Sequence, residues 1–454
     1  MNNQSLILAE SSFGFHRYLW YYQEEIKAIQ LGFEAQEEHT GQIHWGRVTK
    51  VNSTLKGAFV ELTGGLSGFL PFQLAKDFMP LNEGQYLIVQ VLRDSEQGKE
   101  LRLTTNITLR GLYWVAFPNR TGLLKLSKKI HAKEDMERIV ELAEPWVEHF
   151  GLTARTAARS TPDDDLIAEY QWITSIWEQI NTKASSLKKP SLLIDFAHPL
   201  IRLLLEDVEV APEAIIFNSA KALNDVAGEL EQNFHFPNID LAVSEGEDLL
   251  ADFDIQESFW QLLSKKVPLK SGGNIIIEET AAAVMIDVNS GKQKNISPKQ
   301  LQEINFAACH EIAKQIRLRN LSGQILVDFI STKDKNHQQK VASRLKQIMA
   351  NDPQSIDILG FSRLGILEMT RRKVGLSLSQ KLLMQQEEYQ LVYPVQRALV
   401  LKEMEAELRR NSAVKFRLYA PEKQIKKIKL IIEEVSPPLI EYIEAEGEIM
   451  LETY

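Results

Sequence analysis

Short runs of alternating apolar and polar residues follow one another between residues 41 and 108, separated by glycine and asparagine. The runs read GQIHWGRVTKV, KGAFVEL, SGFLPF, QYLIVQVLR and KELRLTT. Alternation with a period of two is typical of strands that bury one face, and short strands at this spacing are typical of a small barrel. This part of the chain is therefore predicted to form a β-barrel.

A strand–helix–strand pattern follows later in the chain, over residues 270–378. The apolar runs AVMIDVNSG and QILVDFI are separated by a stretch whose pattern predicts a helix over 298–319. A connection of this length that contains a helix is typical of a crossover between parallel strands. We therefore expect the two apolar runs to be adjacent strands, with their polar residues close together.

Each of these runs contains an acidic residue, Asp287 in the first and Asp328 in the second. A carboxylate among Val, Ile, Leu and Phe side chains is costly unless its charge is compensated. A hard cation such as Mg²⁺, held by one or two carboxylates and by substrate phosphate oxygens, is a natural compensator. The alternative is that each Asp lies near a strand end, where it caps a helix or pairs with an arginine. The position of each Asp within an apolar run favours a shared metal ion and therefore phosphodiester chemistry.

Asn289 lies two positions after Asp287, so both side chains are expected to project from the same face of the sheet. Its amide oxygen is neutral and could orient the substrate or a metal-bound water. Ser271, Gly272 and Gly273 precede the first strand, and their glycines allow a tight turn or a close approach of two backbone segments.

Length and composition limit the class of protein. At 454 residues the chain is too long for one core, and roughly three domains are expected. The net charge of −9 is not a general footprint of nucleic-acid binding, so any contact with a polynucleotide must come from local basic patches. No apolar run approaches the roughly 20 residues that span a bilayer, and the N-terminus lacks the pattern of a secretory signal. With a single cysteine, Cys309, the chain is expected to be cytoplasmic and to lack a multi-cysteine zinc site.

Two further groups of residues suggest contacts with RNA. In the barrel, Phe59 and Phe69 lie near Lys99, and oligonucleotide-binding barrels stack bases on exposed aromatic rings while basic side chains follow the backbone. The alternative is that both phenylalanines belong to the core. In GLTARTAARS, Arg155 and Thr156 combine a guanidinium fork with a hydroxyl, which suits a terminal phosphate monoester. The alternative is a solvated turn whose arginines pair with nearby aspartates.

The segments SGGNIIIEETAAAVMIDVNSG, IAKQIRLRNLSGQILVDFI and SRLGILEMTRR, together with the barrel, resemble the ribonuclease E/G family of bacterial endoribonucleases. The resemblance covers nearly the whole chain in the same order. It implies an endoribonuclease that uses Mg²⁺, cuts single-stranded, A/U-rich RNA and leaves 5′-phosphate and 3′-hydroxyl ends, in RNA processing or mRNA decay.

The resemblance also implies an α+β multidomain fold with a split RNase H-like subdomain. The implied domains are 1–39 and 201–265 (the two parts of the RNase H-like subdomain), 40–108 (S1-type OB-fold RNA-binding domain), 109–200 (5′-sensor-like region) and 266–378 (DNase I-like α/β catalytic subdomain). The remaining range, 379–454, is predicted from its own residue pattern to form a Gln/Glu-rich helix near 379–410 and a small α+β domain.

Site residues follow from the same resemblance by position. The metal-binding aspartates of the family match Asp287 and Asp328, and its neighbouring catalytic asparagine matches Asn289. The Arg-Thr pair that senses a 5′-monophosphate matches Arg155 and Thr156. The RNA-stacking phenylalanines match Phe59 and Phe69, and a basic RNA-binding position matches Lys99.

Departures from the family pattern leave other functions open. The family often carries a Cys-Pro-x-Cys zinc link after the position of Ser377, and this chain has no cysteine there, so no zinc link is expected. Homo-oligomers remain open, as does 5′-end sensing. After the segment VDFI this chain has Ser331-Thr332, where the family usually has Asp-Met. This change at Ser331 and the missing zinc link motivate an alternative, a non-catalytic RNA-binding or assembly protein derived from the family. A metal-dependent hydrolase of another phosphodiester is a third reading, against which the barrel argues. The RNA targets, the cleavage consensus and the protein partners cannot be read from the sequence.

Overall fold

The computed structural model of the protein describes residues 4–33, 38–94, 100–206, 210–233, 239–246, 248–291, 297–331, 335–350, 352–384, 390–411, 414–432 and 440–453. The chain forms two compact units. The first consists of Met1–Ala9, Tyr18–Gln30 and Glu38–Glu247, and the second of Glu10–Arg17, Leu31–Glu37 and Asp248–Tyr454.

The chain begins with two tight β-hairpins. Their strands are β1 (Leu6–Ser12), β2 (Phe15–Tyr22) and β3 (Glu25–Phe33). Both connections have two residues, and all four of these residues have positive φ angles. Two-residue turns with this backbone match the right-handed twist of the strands they join.

The predicted barrel is present and contains five strands. They are β4 (Ile43–Asn52), β5 (Gly57–Glu61), β6 (Ser67–Pro71), β7 (Tyr86–Arg93) and β8 (Leu101–Thr104). The strand order is β4-β5-β6-β8-β7, and β7 pairs back onto β4, which closes the barrel. Alternate side chains fill the interior, among them Val48, Val60, Leu70, Val89 and Leu103, and all of these are fully buried. This closed barrel is consistent with an OB-like fold.

A smaller sheet and two helices follow the barrel. The elements are β9 (Leu109–Arg110), β10 (Trp114–Phe117), β11 (Leu124–Leu126), α1 (Lys133–Ala143), β12 (Gly151–Ala154), α2 (Asp163–Ser186) and β13 (Ser191–Ile194). The sheet order is β11-β12-β10-β9, whereas β13 pairs with β4 of the barrel. The long helix α2 buries an apolar stripe that includes Leu166, Ile173 and Ile180.

The next stretch completes a five-stranded sheet. Its elements are α3 (Pro199–Leu204), β14 (Ala214–Phe217), α4 (Ala220–Asn233), β15 (Asp240–Val243), α5 (Leu249–Asp252) and α6 (Gln256–Gln261). The order of the sheet is β15-β14-β1-β2-β3, and β1, β14 and β15 are parallel.

The acidic strands belong to a six-stranded sheet in the second unit. Its elements are β16 (Lys266–Pro268), β17 (Asn274–Glu279), β18 (Val284–Asn289), α7 (Pro298–Leu318), β19 (Gly323–Asp328), α8 (Lys335–Met349), β20 (Ile356–Phe361) and β21 (Leu367–Arg371). The order is β16-β17-β18-β19-β21-β20, and the crossover through α7 makes β18 and β19 parallel, as predicted. Ser297 and Gln300 form a capping box at the start of α7, which fixes where this helix begins.

One face of this sheet is covered by the core of the second unit. Ile304, Ala308, Ile312 and Ile316 on α7 and Val341 and Leu345 on α8 belong to the same buried cluster as the inward-facing residues of the strands. The opposite face carries the polar residues described below.

The C-terminal part contains a small α+β fold. Its elements are α9 (Leu378–Leu382), β22 (Leu383–Met384), β23 (Gln390–Leu391), α10 (Tyr393–Arg410), β24 (Phe416–Ala420), α11 (Glu422–Ile432), β25 (Ile440–Glu444) and β26 (Met450–Thr453). The prediction of one helix near 379–410 is wrong, because Leu383 adopts an extended backbone and pairs with Leu391. Strand β24 lies between β25 and β26, parallel to the first and antiparallel to the second.

Candidate active site

Asp287 and Asp328 lie directly opposite each other on the adjacent parallel strands β18 and β19. Neighbouring strands in a sheet are about 4.8 Å apart, so two residues in register across such a pair hold their side chains side by side. The expectation that the fold brings these two carboxylates together is confirmed. They lie at the last paired position of the two strands.

Both carboxylates lie on the open face of the sheet and are exposed to solvent. The idea that they are embedded in an apolar environment is therefore wrong. Because side chains alternate along a strand, Ile286 and Val288 point into the core while Asp287 points away from it. By the same alternation, Asp328 projects from the open face of the sheet, whereas Val327 and Phe329 point into the core.

Asn289 shares the face and the strand end with Asp287. Its Nδ2 donates a hydrogen bond to Asp287 Oδ2 at 2.6 Å, which orients the carboxylate and turns Asn289 Oδ1 away from it. The backbone of Asn289 is in turn approached closely by the glycine turn before β17. A Cβ atom built on Gly273 would lie 2.3 Å from Asn289 O. The expected close approach of these glycines is thus confirmed.

Lys266 completes a row of residues across the same face. In register, Lys266 on β16 lies opposite Ile276 on β17, which lies opposite Asp287. Lys266 is exposed while its neighbour Val267 belongs to the core, so the lysine is on the open face. Lys266 is not among the site residues predicted from the sequence, although the alternation in KVPL indicates its orientation.

The structure integrates Arg155 and Thr156 into the hydrogen-bond network of the first unit. Arg155 is 7% exposed, and its guanidinium donates to the carbonyl oxygens of Gly111, Leu205 and Glu206, the Leu205 bond being 2.8 Å long. Thr156 is fully buried, and its hydroxyl is hydrogen-bonded to that of Ser127 at 2.8 Å. The alternative of a solvated turn is therefore wrong for this pair. The binding of a 5′-phosphate by Arg155 and Thr156 stays a prediction.

A buried carboxylate stabilises the same region. Glu169 on α2 is fully buried and accepts hydrogen bonds from the backbone N–H groups of Leu112, Tyr113 and Trp114, the last two at 2.8 Å. Burial raises the pKa of Glu169 to about 7, although these three N–H donors and the charge of Arg155 oppose the increase. Glu169 could not be predicted from the sequence, because its partners lie more than fifty positions away.

Phe59 and Phe69 form an aromatic pair on the outside of the barrel. They lie opposite each other on β5 and β6, half-buried, with ring centroids 5.5 Å apart and an interplanar angle of 62°. Lys50 lies opposite Phe59, and Arg102 lies opposite Phe69, so basic residues flank both rings. A core role is therefore wrong for this pair. The predicted RNA-binding residue Lys99 lies outside the described residues.

The model of the ribonuclease E/G family matches residues 108–374, more than half of the chain. The chain belongs to the ribonuclease E/G family. Ribonuclease G of Salmonella typhimurium (strain SL1344) and ribonuclease G of Escherichia coli (strain K12) are both 29% identical to it over 388 residues, covering 77% of this chain and 76% of each relative. Ribonuclease E of Escherichia coli (strain K12) is 29% identical over 373 residues, which cover 78% of this chain and 35% of that protein. The predicted enzyme class, an endoribonuclease, is confirmed.

A divalent metal ion is the cofactor that the ribonuclease E/G family suggests, and the residues on the open face fit such an ion. Asp287 and Asp328 offer adjacent carboxylates and Asn289 an amide oxygen, the hard oxygen ligands that Mg²⁺ prefers. Neither carboxylate forms an ion pair with a described residue. The described residues contain no group of three His, Cys, Asp or Glu side chains that could hold a metal, so water and substrate oxygens would complete the shell.

Residues 362–373, which include Arg363, Arg371 and Arg372, form the turn between β20 and β21, strand β21 and the residues after it. Arg371 is buried, pairs with Asp352 at 3.0 Å and donates to Asn320 Oδ1 and Leu321 O. It therefore has a structural role in this member of the ribonuclease E/G family.

None of the helices in the described part of the chain is long and apolar enough to cross a membrane.

Proposed function

We propose that the chain is a Mg²⁺-dependent endoribonuclease that cleaves single-stranded, A/U-rich RNA in RNA processing or decay. The observation that carries the proposal is the register of Asp287 with Asp328 on the exposed face of the sheet. The preference for single-stranded A/U-rich RNA and the 5′-phosphate and 3′-hydroxyl ends rest on the family resemblance.

In this proposal Asp287 and Asp328 hold the metal ion, and Asn289 fixes the carboxylate of Asp287 through its hydrogen bond. When bound, Mg²⁺ would supply polarisation of the scissile phosphate and activation of the attacking water. Lys266, on the same row of the sheet, binds a phosphate of the RNA backbone. Attack by water with departure of the 3′-oxygen leaves a 5′-phosphate and a 3′-hydroxyl.

The outer face of the barrel binds the single strand. Aromatic rings flanked by basic side chains stack bases and attract phosphates without reading much sequence. Phe59 and Phe69 provide the rings, and Lys50 and Arg102 provide the charges. A base can stack on these rings only when it is unpaired, which explains a preference for single-stranded over paired RNA. Lys99 is proposed to add to this surface.

The finer architecture is also a proposal: an S1-type barrel at 40–108, a 5′-sensor at 109–200 in which Arg155 and Thr156 bind a 5′-monophosphate, a split RNase H-like subdomain, and a DNase I-like catalytic subdomain at 266–378. The helices and strands that lie within these ranges support this division of the chain. The sheet of β16 to β21, with helices on one face and the acidic residues on the other, is the part that carries the catalytic assignment.

The test is cleavage of a 5′-monophosphorylated, A/U-rich oligonucleotide by the variants Asp287→Asn and Asp328→Asn, with Mg²⁺ titrated. We expect each variant to lose at least about 100-fold in turnover while its RNA affinity, measured by fluorescence anisotropy, stays within about twofold, since only a metal ligand is removed. The matched control is Asp357→Asn, which changes an exposed carboxylate on β20 of the same sheet and should leave cleavage intact.

Unchanged turnover in both variants would overturn the assignment. Binding of RNA by the wild-type protein with no product at any Mg²⁺ concentration would instead support the second candidate, a non-catalytic RNA-binding or assembly protein. The barrel with its aromatic pair favours that candidate over a hydrolase of other phosphodiesters.

A further inference from the structure

Asn305 is a polar residue on the buried face of the crossover helix α7. It is fully buried and lies among Ile304, Ala308 and Ile312, which belong to the core beneath the catalytic sheet. A buried amide without partners is costly, so its hydrogen bonds indicate what it is for.

The amide of Asn305 is bonded to the backbone of Ile330 at two points. Asn305 Nδ2 donates to Ile330 O at 3.0 Å, and Ile330 N donates to Asn305 Oδ1 at 3.2 Å. Asn305 Nδ2 also lies 3.1 Å from His337 Nε2 on α8, and the His337 ring stacks on Phe306 at 6.2 Å between centroids. The side chain is therefore held by the backbone of Ile330 and by His337 of α8.

For Ile330, these hydrogen bonds take the place of the backbone hydrogen bonds that a neighbouring strand would make. Strand β19 ends at Asp328, and its last pairing with β21 is at Val327. Two residues after Asp328, the N–H and C=O groups of Ile330 are both satisfied by one side-chain amide, as they would be by a strand. Phe329 between them is buried in the core. The backbone that carries Asp328 is thus fixed on one side by the sheet and on the other by Asn305.

We propose that Asn305 is a positioning residue that holds the backbone of Asp328 so that its carboxylate stays beside that of Asp287. The inference rests on the proposed function, because it assumes that the two carboxylates hold a divalent ion. Residues behind a metal ligand typically change metal affinity or activity about 10–100-fold when they are removed. Loss of Asn305 is therefore expected to weaken metal binding while leaving all ligands in place.

The experiment compares Asn305→Leu, Asn305→Asp and the control Gln315→Leu in the full chain. Gln315 is also a buried amide on α7, but it bonds to Glu311 and Arg319 and not to the Asp328 segment. Binding of Mn²⁺ without RNA is followed by water-proton relaxation, and the Mg²⁺ concentration for half-maximal cleavage is measured in parallel. Thermal unfolding reports the loss of stability for each variant.

We expect both Asn305 variants to bind Mn²⁺ at least about tenfold more weakly and to need correspondingly more Mg²⁺, with kcat at saturating Mg²⁺ within about threefold of the wild type. Gln315→Leu should lose stability but keep wild-type metal affinity. Asn305→Asp retains the acceptor for Ile330 N and the volume of the side chain. Its metal affinity therefore tests the positioning role if Asn305→Leu does not fold.

Wild-type metal affinity in the folded Asn305 variants, when Asp287→Asn abolishes Mn²⁺ binding, would overturn the positioning role alone. Unchanged Mn²⁺ binding in Asp287→Asn would show that the metal site itself is elsewhere and would overturn the proposed function. Equal weakening in the Asn305 variants and Gln315→Leu would show a general effect of stability and would also overturn the inference.

Discussion

Gly273 touches the backbone of Asn289: a Cβ atom at residue 273 would lie 2.3 Å from Asn289 O, and the φ angle of Gly273 is +85°. Both the conformation and the space therefore require glycine. Because Asn289 donates a hydrogen bond to the carboxylate of Asp287, the glycine turn supports the proposed metal site through Asn289.

Gly273→Ala is expected to lower cleavage at least about tenfold, because the added methyl group pushes the Asn289 backbone and displaces the carboxylate bonded to it. Gly323→Ala is the matched control. Gly323 has a φ of +86° on the same sheet, but a Cβ there meets nothing within 4 Å. Both variants should lose about 1–2 kcal/mol of stability from the left-handed backbone, and only the first should lose turnover. Equal turnover in the two variants would contradict this role for the turn.

Phe59→Ala and Phe69→Ala should each weaken the binding of a single-stranded oligonucleotide by about 1–3 kcal/mol, the value of one stacked base. Fluorescence anisotropy measures the affinity. Phe78→Ala is the control, since Phe78 is a partly buried ring packed against the interior of the same barrel. An equal loss of affinity in all three variants would indicate damage to the barrel instead of lost stacking.

Arg155→Lys tests 5′-end recognition against a structural role. The proposed sensor predicts that the ratio of cleavage rates on 5′-monophosphorylated and 5′-hydroxyl RNA falls at least about fivefold, since lysine cannot reproduce the fork of the guanidinium. Arg138→Lys is the control, because Arg138 is also an arginine that donates to backbone carbonyls, in its case those of Ala158 and Arg159. A stability loss with an unchanged ratio in both variants would assign Arg155 to structure alone.

Glu169 makes stability depend on pH. Its pKa is raised from 4.5 to about 7 in the folded chain, so between these values the folded state binds more protons than the unfolded state. The contribution of this group to the unfolding free energy is therefore greatest below about pH 4.5 and falls as pH rises to about 7. Glu169→Gln, which cannot titrate and turns an NH₂ group toward backbone donors, should be destabilised by about 1–3 kcal/mol at pH 8 and by more at pH 5. Urea unfolding at the two pH values measures this, and a difference that does not change with pH would contradict the buried, proton-binding state.

The barrel and the pairing of Asp287 with Asp328 could be predicted from the sequence, because alternation and crossover length depend on residues that are close along the chain. The exposure of the two carboxylates could not. Met285, on the same face as Asp287, is itself 37% exposed, so the strand reads as a continuous apolar run and hides its alternation.

Other features depend on contacts between distant residues. Arg155 is buried because carbonyl groups from residues 111, 205 and 206 converge on it, and no local pattern shows this. Asn305 is visible in the sequence as an amide within the apolar stripe of an amphipathic helix. Such a residue must find partners in the core, and here they lie next to a proposed metal ligand.

The crossover through α7 also sets an order of events during synthesis. A chain that is made at about 5–20 residues per second emerges with Asp287 first, and Asp328 follows about forty residues later, after the whole helix. A nascent chain therefore carries only one of the two carboxylates for several seconds, next to the messenger RNA that encodes it. In the proposed function, the pair of carboxylates is therefore incomplete until residue 328 has been synthesised.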